Sequence, residues 1–579
     1  MQEIELKFLV PESRLKGLMR QANIKSSQLT QLAAHYYDTP DQQLAKAGIG
    51  LRIRQEGDAW VQTIKAGGDG IAARLEHNAV LDTQQVQAML DTNTLMPDLS
   101  IYQDTSIAPA LEPFKLTKLA KTLTRLYVTD VERITRLLTD NSDKDSSNQI
   151  EMAYDCGAII HGRDDTQRDS IQEIEFELIS GDVDFLFTTA KTWCQRHKLC
   201  LSTVTKAERG GLLITGQQHS RAVSANLSDL TVAKDSSRPA FIRAVVHNCL
   251  LQILPNSSAI VAGSTDNEHI LQLYNGIQRL RTALKLFKGF SDELNPDWVI
   301  ILKQTATLLA DYRKLAYLAS HIEPYLQAHE APSVDWSAEI EAAKITPIDA
   351  VRANNLQLTL LELIAFTMSN PNLEPQANKR AAHKLRKTLD KRYKKLLKAE
   401  SKLHEARNAN ADSKDLTGVN LESVSSESIN LEGVKSKGVK SKGVNLESRE
   451  PQSLQTKDID LSAKDEKQAQ YKLYRQLEKL RYVSEFAAPL INNENLKNKK
   501  LNSKKSKKKS KRFLKHLVKV QQALRQQLDT TYYQQCYQHK ASSDSNALYG
   551  AGWLNASLID TQKKSKKRLA KLKSADKFW

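Results

Sequence analysis

Cysteine is scarce in this 579-residue chain, and the cysteines show no paired metal-ligand spacing. There are five, an odd number, namely Cys156, Cys194, Cys200, Cys249 and Cys536. This usage predicts a reduced, cytoplasmic protein rather than a secreted one. No apolar run approaches the ~20 residues that cross a bilayer, so we expect no membrane span. The first residues are acidic and amphipathic rather than basic and then apolar, so no signal peptide is expected.

Two common catalytic signatures are also absent. The chain has no P-loop with its Gly-Lys-Ser/Thr ending, which argues against a Walker-type NTPase. No Ser/His/Asp or Cys/His grouping can be singled out. Basic residues, in contrast, are in excess, with 84 Lys and Arg against 67 Asp and Glu and a net charge of +17. The excess favours an anionic partner, although charge runs in linkers account for part of it.

The first seven residues alternate charged and apolar side chains, so a β-strand places Glu3, Glu5 and Lys7 on one face. Similar charged ladders recur along the first ~200 residues, within the usual size of a domain. Many strands with charge on one face and apolar residues on the other predict a barrel with a polar interior. Among the predicted elements are strands at 35–38, 73–81, 121–130 and 131–138 and a helix at 183–197. The candidate carboxylates are Glu3, Glu5, Glu76, Asp155, Glu173, Glu175 and Glu177. The candidate bases are Lys7, Arg52, Arg54, Lys65, Arg74, Arg125, Arg133, Lys206 and Arg209.

Carboxylates gathered in one interior repel each other unless cations lie among them, and oxygen ligands suit Mg²⁺ or Mn²⁺. Arginine and lysine side chains match an anion with many oxygens. Together they predict a phosphoryl-transfer site, in which the protein positions the substrate and neutralises charge. The alternative is a barrel filled by structural salt bridges, which the cost of desolvating so many charges argues against.

Glu3-x-Glu5-x-Lys7 resembles the ExExK signature of the CYTH superfamily, the triphosphate tunnel metalloenzymes. Later elements follow in the family's order: Arg52 with Arg54, Lys65, Arg74-x-Glu76, the acidic strand 173–177, and Thr205-Lys206-Ala207. The resemblance implies an eight-stranded antiparallel tunnel, with metal on the ExExK and late glutamates and triphosphate on the bases. We expect Lys7, Arg52 and Lys65 to act in catalysis.

From Pro239 onward the period is helical, and the stretches 271–281 and 471–481 are similar in register. The similarity predicts an internal duplication and a two-lobed helical domain; a chance similarity between basic helices is the alternative. This part resembles the CHAD domain, an α-helical module of two bundles associated with polyphosphate. His269 and His404 lie out of register with that family's histidine pattern, and we interpret both as surface residues. The candidate polyphosphate-binding residues are Arg279, Arg281, Lys285, Lys391, Arg392, Lys479 and Arg481.

These patterns predict a multidomain α and β protein. We expect a CYTH barrel at 1–215, a linker at 216–238 and a helical CHAD domain at 239–579. Low-complexity insertions are predicted at about 411–463, which repeats Gly-Val-Asn-Leu-Glu-Ser, and at 493–512, which is either a basic arm or a solvated loop.

The leading hypothesis is Mg²⁺- or Mn²⁺-dependent hydrolysis of inorganic triphosphate, with polyphosphate as a further partner of the helical part. A thiamine triphosphatase, a class IV adenylate cyclase-like enzyme and a non-catalytic polyphosphate-binding scaffold remain the alternatives. Neither nucleic acid nor a membrane is the expected partner.

Overall fold

The computed structural model describes residues 2–67, 71–140, 148–342, 345–416, 461–494 and 500–579. Its strands lie in the first third of the chain. They are β1 (Gln2–Leu9), β2 (Gln28–Asp38), β3 (Gly50–Glu56), β4 (Ala59–Gly67), β5 (Ala73–Leu81), β6 (Thr124–Thr139), β7 (Gln149–His161), β8 (Arg168–Ser180) and β9 (Cys200–Leu201).

Eight of these strands form a closed antiparallel barrel, which confirms the predicted architecture. The strand order is β5-β4-β3-β2-β6-β7-β8-β1, and β1 closes the barrel by pairing with β5. β1 can do so because its first residues, up to Ile4, pair with β5 while Glu5 to Leu9 pair with β8. The two-residue β9 pairs with the C-terminal end of β1.

The alternation in β1 separates two environments. Leu6 and Phe8 face outward and are 3% and 0% exposed, because helices cover this side of the barrel. Phe8 lies edge-on to Phe176 of β8, which in turn contacts Trp193. The charged residues between them face the interior, as the period-2 pattern predicts.

The barrel is followed by helices. The helices are α1 (Glu12–Ala22), α2 (Gln43–Lys46), α3 (Thr83–Asp91), α4 (Ala108–Leu111), α5 (Leu116–Thr122), α6 (Val183–His197), α7 (Lys206–Ile214), α8 (Arg238–Val261), α9 (Asn267–Leu286), α10 (Pro296–Tyr317), α11 (Glu323–Gln327), α12 (Ser337–Glu341), α13 (Pro347–Arg352), α14 (Asn354–Met368), α15 (Ala381–Leu416), α16 (Leu461–Glu494), α17 (Lys500–Lys540) and α18 (Ala547–Lys573). Single turns lie at Ser100–Tyr102, Leu227–Asp229, Leu318–Ile322 and Pro371–Leu373.

The helical part and the barrel share one apolar core. It runs from Leu6 and Phe8 on the barrel wall through α6 to Phe241 of α8, Ile277 of α9 and Phe486 of α16. Helix α6 packs against α14, while α15 pairs with α16 and α17 pairs with α18. The outer surface of the barrel is therefore part of the interior of the whole molecule.

Helix α8 is long and apolar enough, by length and composition alone, to cross a membrane. In this structure 78% of its apolar stretch is buried by protein, and it carries buried polar residues such as Asn248, Gln252 and Asn256. It occupies the position of a core helix.

The two similar stretches lie on α9 and α16, which pack against each other. Gly276 lets α9 approach α8 closely, since a Cβ there would lie 2.8 Å from Ile253 Cγ1. The tight contact encloses Arg279 of α9, one of the candidate polyphosphate-binding residues, between the two helices.

Several sequence interpretations need correction. His269 is 3% exposed, because its ring bonds Ser264 Oγ and the Ser220 carbonyl from within the fold, whereas His404 is exposed as expected. Most of the 411–463 insertion lies outside the described residues. The segment 493–512, interpreted as either a basic arm or a solvated loop, is helical from Lys500 onward, because that part belongs to α17.

Candidate active site

The interior of the barrel brings charges of both signs into contact. β1 supplies Glu3, Glu5 and Lys7, and the register of its neighbours decides which residues they meet. Glu3 lies opposite Arg74 of β5, while Glu5 and Lys7 lie opposite Glu177 and Glu175 of β8. The interior divides into two groups of contacts.

We call the first group the Glu3 cluster, which consists of Glu3, Glu5, Lys65, Arg74, Glu76 and Glu177. Lys65 Nζ lies 2.8 Å from both Glu3 carboxylate oxygens and 2.8 Å from Glu76 Oε2. Arg74 Nη1 lies 2.8 Å from Glu5 Oε1. Four carboxylates therefore share two cationic side chains.

This excess of carboxylates perturbs their protonation. Burial raises the pKa of Glu177 to about 7, and Glu151, Glu5 and Glu76 add to the rise. Burial also raises the pKa of Glu3, against the charge of Lys65. Burial alone would raise the pKa of Glu76, but its hydrogen bonds with Glu3 and Lys65 hold it low. A further cation among these oxygens would stabilise their charged forms.

We call the second group the Lys206 cluster, which consists of Lys7, Arg133, Asp155, Glu173, Glu175 and Lys206. Lys206 Nζ lies 2.7, 2.5 and 3.0 Å from oxygens of Asp155, Glu173 and Glu175. Burial opposes the charge of Lys206, yet the three carboxylates raise its pKa. The ammonium group thus lies among all three.

Arg133 and Lys7 complete the Lys206 cluster. Arg133 forms two 2.7 Å bonds to Asp155 and a 3.0 Å bond to Glu175 Oε2. Lys7 Nζ lies 3.8 Å from Glu173 Oε2 and donates to the Val204 carbonyl. Burial lowers the pKa of Lys7, and the positive charge of Lys206 lowers it further.

Arg52 differs from these paired residues. Within the described part of the chain, its hydrogen bond is one of 3.4 Å from Nη1 to the Tyr36 hydroxyl, and its buried Nε has no partner. Arg54, two residues further along the same face, pairs with Glu56. Arg52 is thus free to bind an anion without breaking an ion pair.

Two predicted substrate-binding residues lie elsewhere. A register shift at Tyr36/Tyr37 in the β2–β6 pair turns Arg125 onto the face that carries His35 and Tyr37, so counting alternate residues from Arg133 fails. Its Nη1 lies 3.5 Å from His35 Nδ1. Arg209 of α7 bonds Asp169 at 2.8 Å and reaches only the edge of the Lys206 cluster, 3.9 Å from Glu173 Oε2.

Helix α7 begins at Lys206 and packs against the barrel. Thr205 caps it by accepting from the Glu208 amide at 3.0 Å. Gly210 lies against Tyr127, whose ring atoms would be 2.2 Å from a Cβ, so only glycine fits without a shift. Apolar residues of α7 and of β2, β6, β7 and β8 form one cluster beside the charged groups.

Both carboxylate sets have the oxygen donors that Mg²⁺ and Mn²⁺ prefer. Asp155, Glu173 and Glu175 lie within 4.8 Å of one another, but Lys206 Nζ and Arg133 already neutralise them. The Glu3 cluster has more carboxylates than bases and contains the raised pKa values. Its residues fit a divalent cation better.

The predicted basic residues of the helical part do not form one surface. Arg279 is 1% exposed and bonds Gln252 and Asn248 at 2.9 Å each, over the Phe486 ring. Arg481 bonds Glu485 at 2.6 Å and Gln521 at 2.9 Å.

The remaining members lie nearer to solvent. Burial lowers the pKa of Lys479, and the charges of Arg392, Lys285 and Arg475 lower it further, so these bases lie close together. Arg281, half-buried, is near Arg475. Lys391 belongs to a separate lysine-rich groove of about 450 Å³ along α15.

The sequence interpretation omitted two interior residues. Tyr36 is the hydrogen-bond partner of Arg52, and it stacks on Tyr127 at 4.8 Å between ring centroids. Tyr36 lies on a stretch that was predicted to be a strand, so alternation along β2 could have found it.

Comparison with known proteins agrees with this architecture. The family model for the CYTH domain matches residues 1–210, and the model for the CHAD domain matches residues 244–538. An inorganic triphosphatase of Haemophilus influenzae is 33% identical over 219 residues, which are 37% of this chain and 55% of that protein. The chain thus matches about half the length of that relative.

Solved structures are similar at lower identity. The CHAD domain of the plant Ricinus communis is 18% identical, covers 62% of this chain and 98% of its own, and has a TM-score of 0.39. A putative adenylyl cyclase from Hippeastrum, described as having a dominant triphosphatase activity, is 14% identical, covers 37% of this chain and 96% of its own, and has a TM-score of 0.25. Both TM-scores are low, so the assignment depends on the two family models. The chain belongs to the CHAD family and joins that helical domain to an N-terminal CYTH domain.

Proposed function

We propose that the barrel hydrolyses inorganic triphosphate and releases orthophosphate, with Mg²⁺ or Mn²⁺ as cofactor. The observation that carries the proposal is the barrel interior, where the Glu3 cluster has excess carboxylates and Arg52 has no carboxylate ion-pair partner among the described residues. The CYTH match and the name of the Haemophilus relative support the same reaction class. We further propose the domain limits 1–215 and 239–579.

The residues divide by role. Arg52 and Arg54 project from β3 and bind phosphoryl oxygens, while Lys65 and Arg74 exchange carboxylate contacts for substrate oxygens. Glu3, Glu5, Glu76 and Glu177 would hold a divalent cation, which supplies charge neutralisation and polarises the phosphoryl group. Lys7 and Lys206 keep the neighbouring carboxylates charged and aligned.

Inorganic triphosphate is favoured over nucleotide cyclisation, because a cyclase needs a pocket for adenine. The interior aromatic pair that the structure describes, Tyr36 and Tyr127, is stacked on itself and buried. A second domain for polyanions also suits short phosphate chains. Thiamine triphosphate remains the second candidate, since the phosphate-binding residues would be the same.

For the helical domain we propose polyphosphate binding at Arg281, Lys285, Arg392 and Lys479, together with Arg475. Burial lowers the pKa of Lys479, and the charges of Arg392, Lys285 and Arg475 lower it further; a bound anion would relieve that repulsion. Arg279 contributes to stability instead, because its guanidinium is enclosed.

The test is orthophosphate release from inorganic triphosphate, ATP and thiamine triphosphate, compared with and without Mg²⁺ or Mn²⁺. We expect metal-dependent release that prefers inorganic triphosphate. No release from any of the three, with triphosphate still bound, would favour the polyphosphate-binding scaffold instead.

A further inference from the structure

The segment 200–206 connects the barrel interior to the helical domain. It begins as β9 beside β1 and ends at Lys206, the first residue of α7. The Ser202 amide donates to the Lys7 carbonyl at 2.9 Å, and Lys7 Nζ donates to the Val204 carbonyl. The segment and Lys7 therefore hold each other in place on the barrel side.

The helical domain holds the same segment from the opposite side. The Leu201 amide donates to Gln357 Oε1 of α14 at 2.8 Å. The Thr203 amide donates to Ser258 Oγ of α8 at 3.0 Å. The amides of Leu201, Ser202 and Thr203 thus bond alternately to the helical domain and to the barrel. They alternate because successive N–H groups of an extended backbone point in opposite directions.

Both acceptors are themselves fixed. Gln357 and Ser258 are each 1% exposed. Gln357 Nε2 donates to the Val351 carbonyl at 2.7 Å, and Ser258 Oγ donates to the Leu254 carbonyl at 2.8 Å. Because each of these side chains makes two hydrogen bonds, one to its own domain and one to the segment, the backbone of 200–206 is held at a defined distance from α8 and α14.

The position of this segment decides where Lys206 Nζ lies. Its three carboxylate contacts are 2.5 to 3.0 Å long, so a shift of 1 Å breaks them. We propose that Gln357 and Ser258 are positioning residues for Lys206, so that the helical domain forms part of the support of the triphosphate site. The proposal depends on the function proposed above, because it concerns triphosphate bound in the barrel.

Reciprocity follows from this arrangement. If the positions of α8 and α14 affect triphosphate binding, bound triphosphate affects those helices by the same free energy. Residues of the helical domain then influence the barrel without contacting substrate.

The experiment uses the full chain and two variants, Gln357→Leu and Ser258→Ala, each of which removes one acceptor. Ser257→Ala is the matched control, because Ser257 is the preceding residue of α8, is equally buried, and its hydroxyl has no hydrogen-bond partner among the described residues. Ser258→Thr restores a hydroxyl. Three quantities are measured: KM and kcat with Mg²⁺ and inorganic triphosphate, the Kd of inorganic triphosphate by calorimetry, and amide exchange of 200–206.

A displaced Lys206 leaves Asp155, Glu173 and Glu175 less well neutralised, and their charge repels triphosphate. We therefore expect KM and Kd to rise about fivefold or more in Gln357→Leu and Ser258→Ala, with kcat within about twofold. Amide exchange of 200–206 should be faster in both, while Ser257→Ala matches the parent chain and Ser258→Thr recovers affinity. In a Lys206→Met background, Gln357→Leu should raise Kd by no more than about 1.5-fold, since coupled changes are not additive.

An equal rise of Kd by Gln357→Leu with and without Lys206 would overturn the proposal and leave a purely structural role. Unchanged Kd in both single variants, despite faster amide exchange, would also overturn it. If the parent chain binds inorganic triphosphate but does not hydrolyse it, the proposed function fails while the Kd and exchange measurements still decide the positioning role.

Discussion

Two arginines, one in each domain, lie in opposite surroundings. Arg279 in the helical domain satisfies both terminal nitrogens with amide oxygens at 2.9 Å and lies over Phe486. The Nε of each arginine is buried and has no hydrogen-bond partner among the described residues, so the contrast lies in the terminal nitrogens. Those of Arg52 make one hydrogen bond within the described part of the chain, 3.4 Å long, to Tyr36. Arg279 is buried and Arg52 half-buried, and they differ in the hydrogen-bonding capacity that their terminal nitrogens retain.

The difference separates a structural charge from a binding charge. Desolvation of a guanidinium costs several kcal/mol, which Arg279 offsets within the fold. Arg52 is only partly compensated by the protein, so an anion completes its contacts. Both arginines belong to similar basic patterns in the sequence, and only their partners distinguish them.

The largest expected effect is on stability. Arg279→Met leaves Gln252 and Asn248 buried without a donor, so the free energy of unfolding should fall by about 3–5 kcal/mol. Denaturant unfolding measures it, with the half-buried Arg281→Met as control. Equal losses in both variants would contradict the contrast between the arginines.

Next is turnover in the barrel. Glu5→Gln removes one carboxylate of the Glu3 cluster and the partner of Arg74, so kcat should fall about 100-fold or more, roughly 3 kcal/mol, with the fold intact. Orthophosphate release measures it, and circular dichroism checks the fold. Glu132→Gln, at an exposed position on β6, is the matched control. Normal turnover in Glu5→Gln would rule out the proposed cation site.

The next expected effect is on the affinity for substrate. Arg52→Ala should raise KM for inorganic triphosphate about tenfold, because a charge-assisted contact of ~1.5 kcal/mol is lost. Arg125→Ala, on the other face of the sheet, should leave KM within about twofold. Similar KM increases in the two variants would show that Arg125 reaches the substrate.

The smallest effect concerns pH. The pKa of Glu177 is about 7 in the folded protein, against an ordinary 4.5. Folding therefore favours the protonated carboxyl, and this contribution to the free energy of unfolding is lost as the pH rises from 4.5 through about 7. In EDTA, Tm should therefore fall more between pH 5 and pH 8 for the parent chain than for Glu177→Gln, by about 2 °C. Added Mg²⁺ should reduce the difference, because a cation stabilises the charged carboxylate; identical pH slopes would count against this explanation.

Alternation and apolar period predicted much of the architecture. Helix Val183–His197 and strand Ala73–Leu81 have the predicted limits, because their patterns end at polar or turn residues. The 16-residue β6, in contrast, was predicted as two strands divided at Asp130. Asp130 and Val131 continue in one ladder because β2 and β7 flank them on both sides, which is a tertiary effect.

For the candidate site, local pattern predicted which residues face the interior and tertiary geometry determined their partners. The charges of β1 were assigned to one face correctly, because strand alternation is local. Arg125 was misassigned, because a register shift in a pairing partner cannot be read from one strand. Arg279 was predicted to bind polyphosphate, because the close approach of α8 at Gly276, which encloses it, depends on the whole bundle.

The apolar core that continues from the barrel wall into α8 and α14 has consequences for truncated forms of the chain and for the evolution of its two domains. Phe8 and Lys7 are neighbours on one strand, yet one belongs to the shared core and the other to the charged interior. A fragment ending near residue 215 would expose the apolar side of β1, β8 and α6 to water and would tend to aggregate. The two domains are thus expected to unfold in one cooperative transition and to evolve as a unit, with substitutions on either side of the shared core constrained by the other.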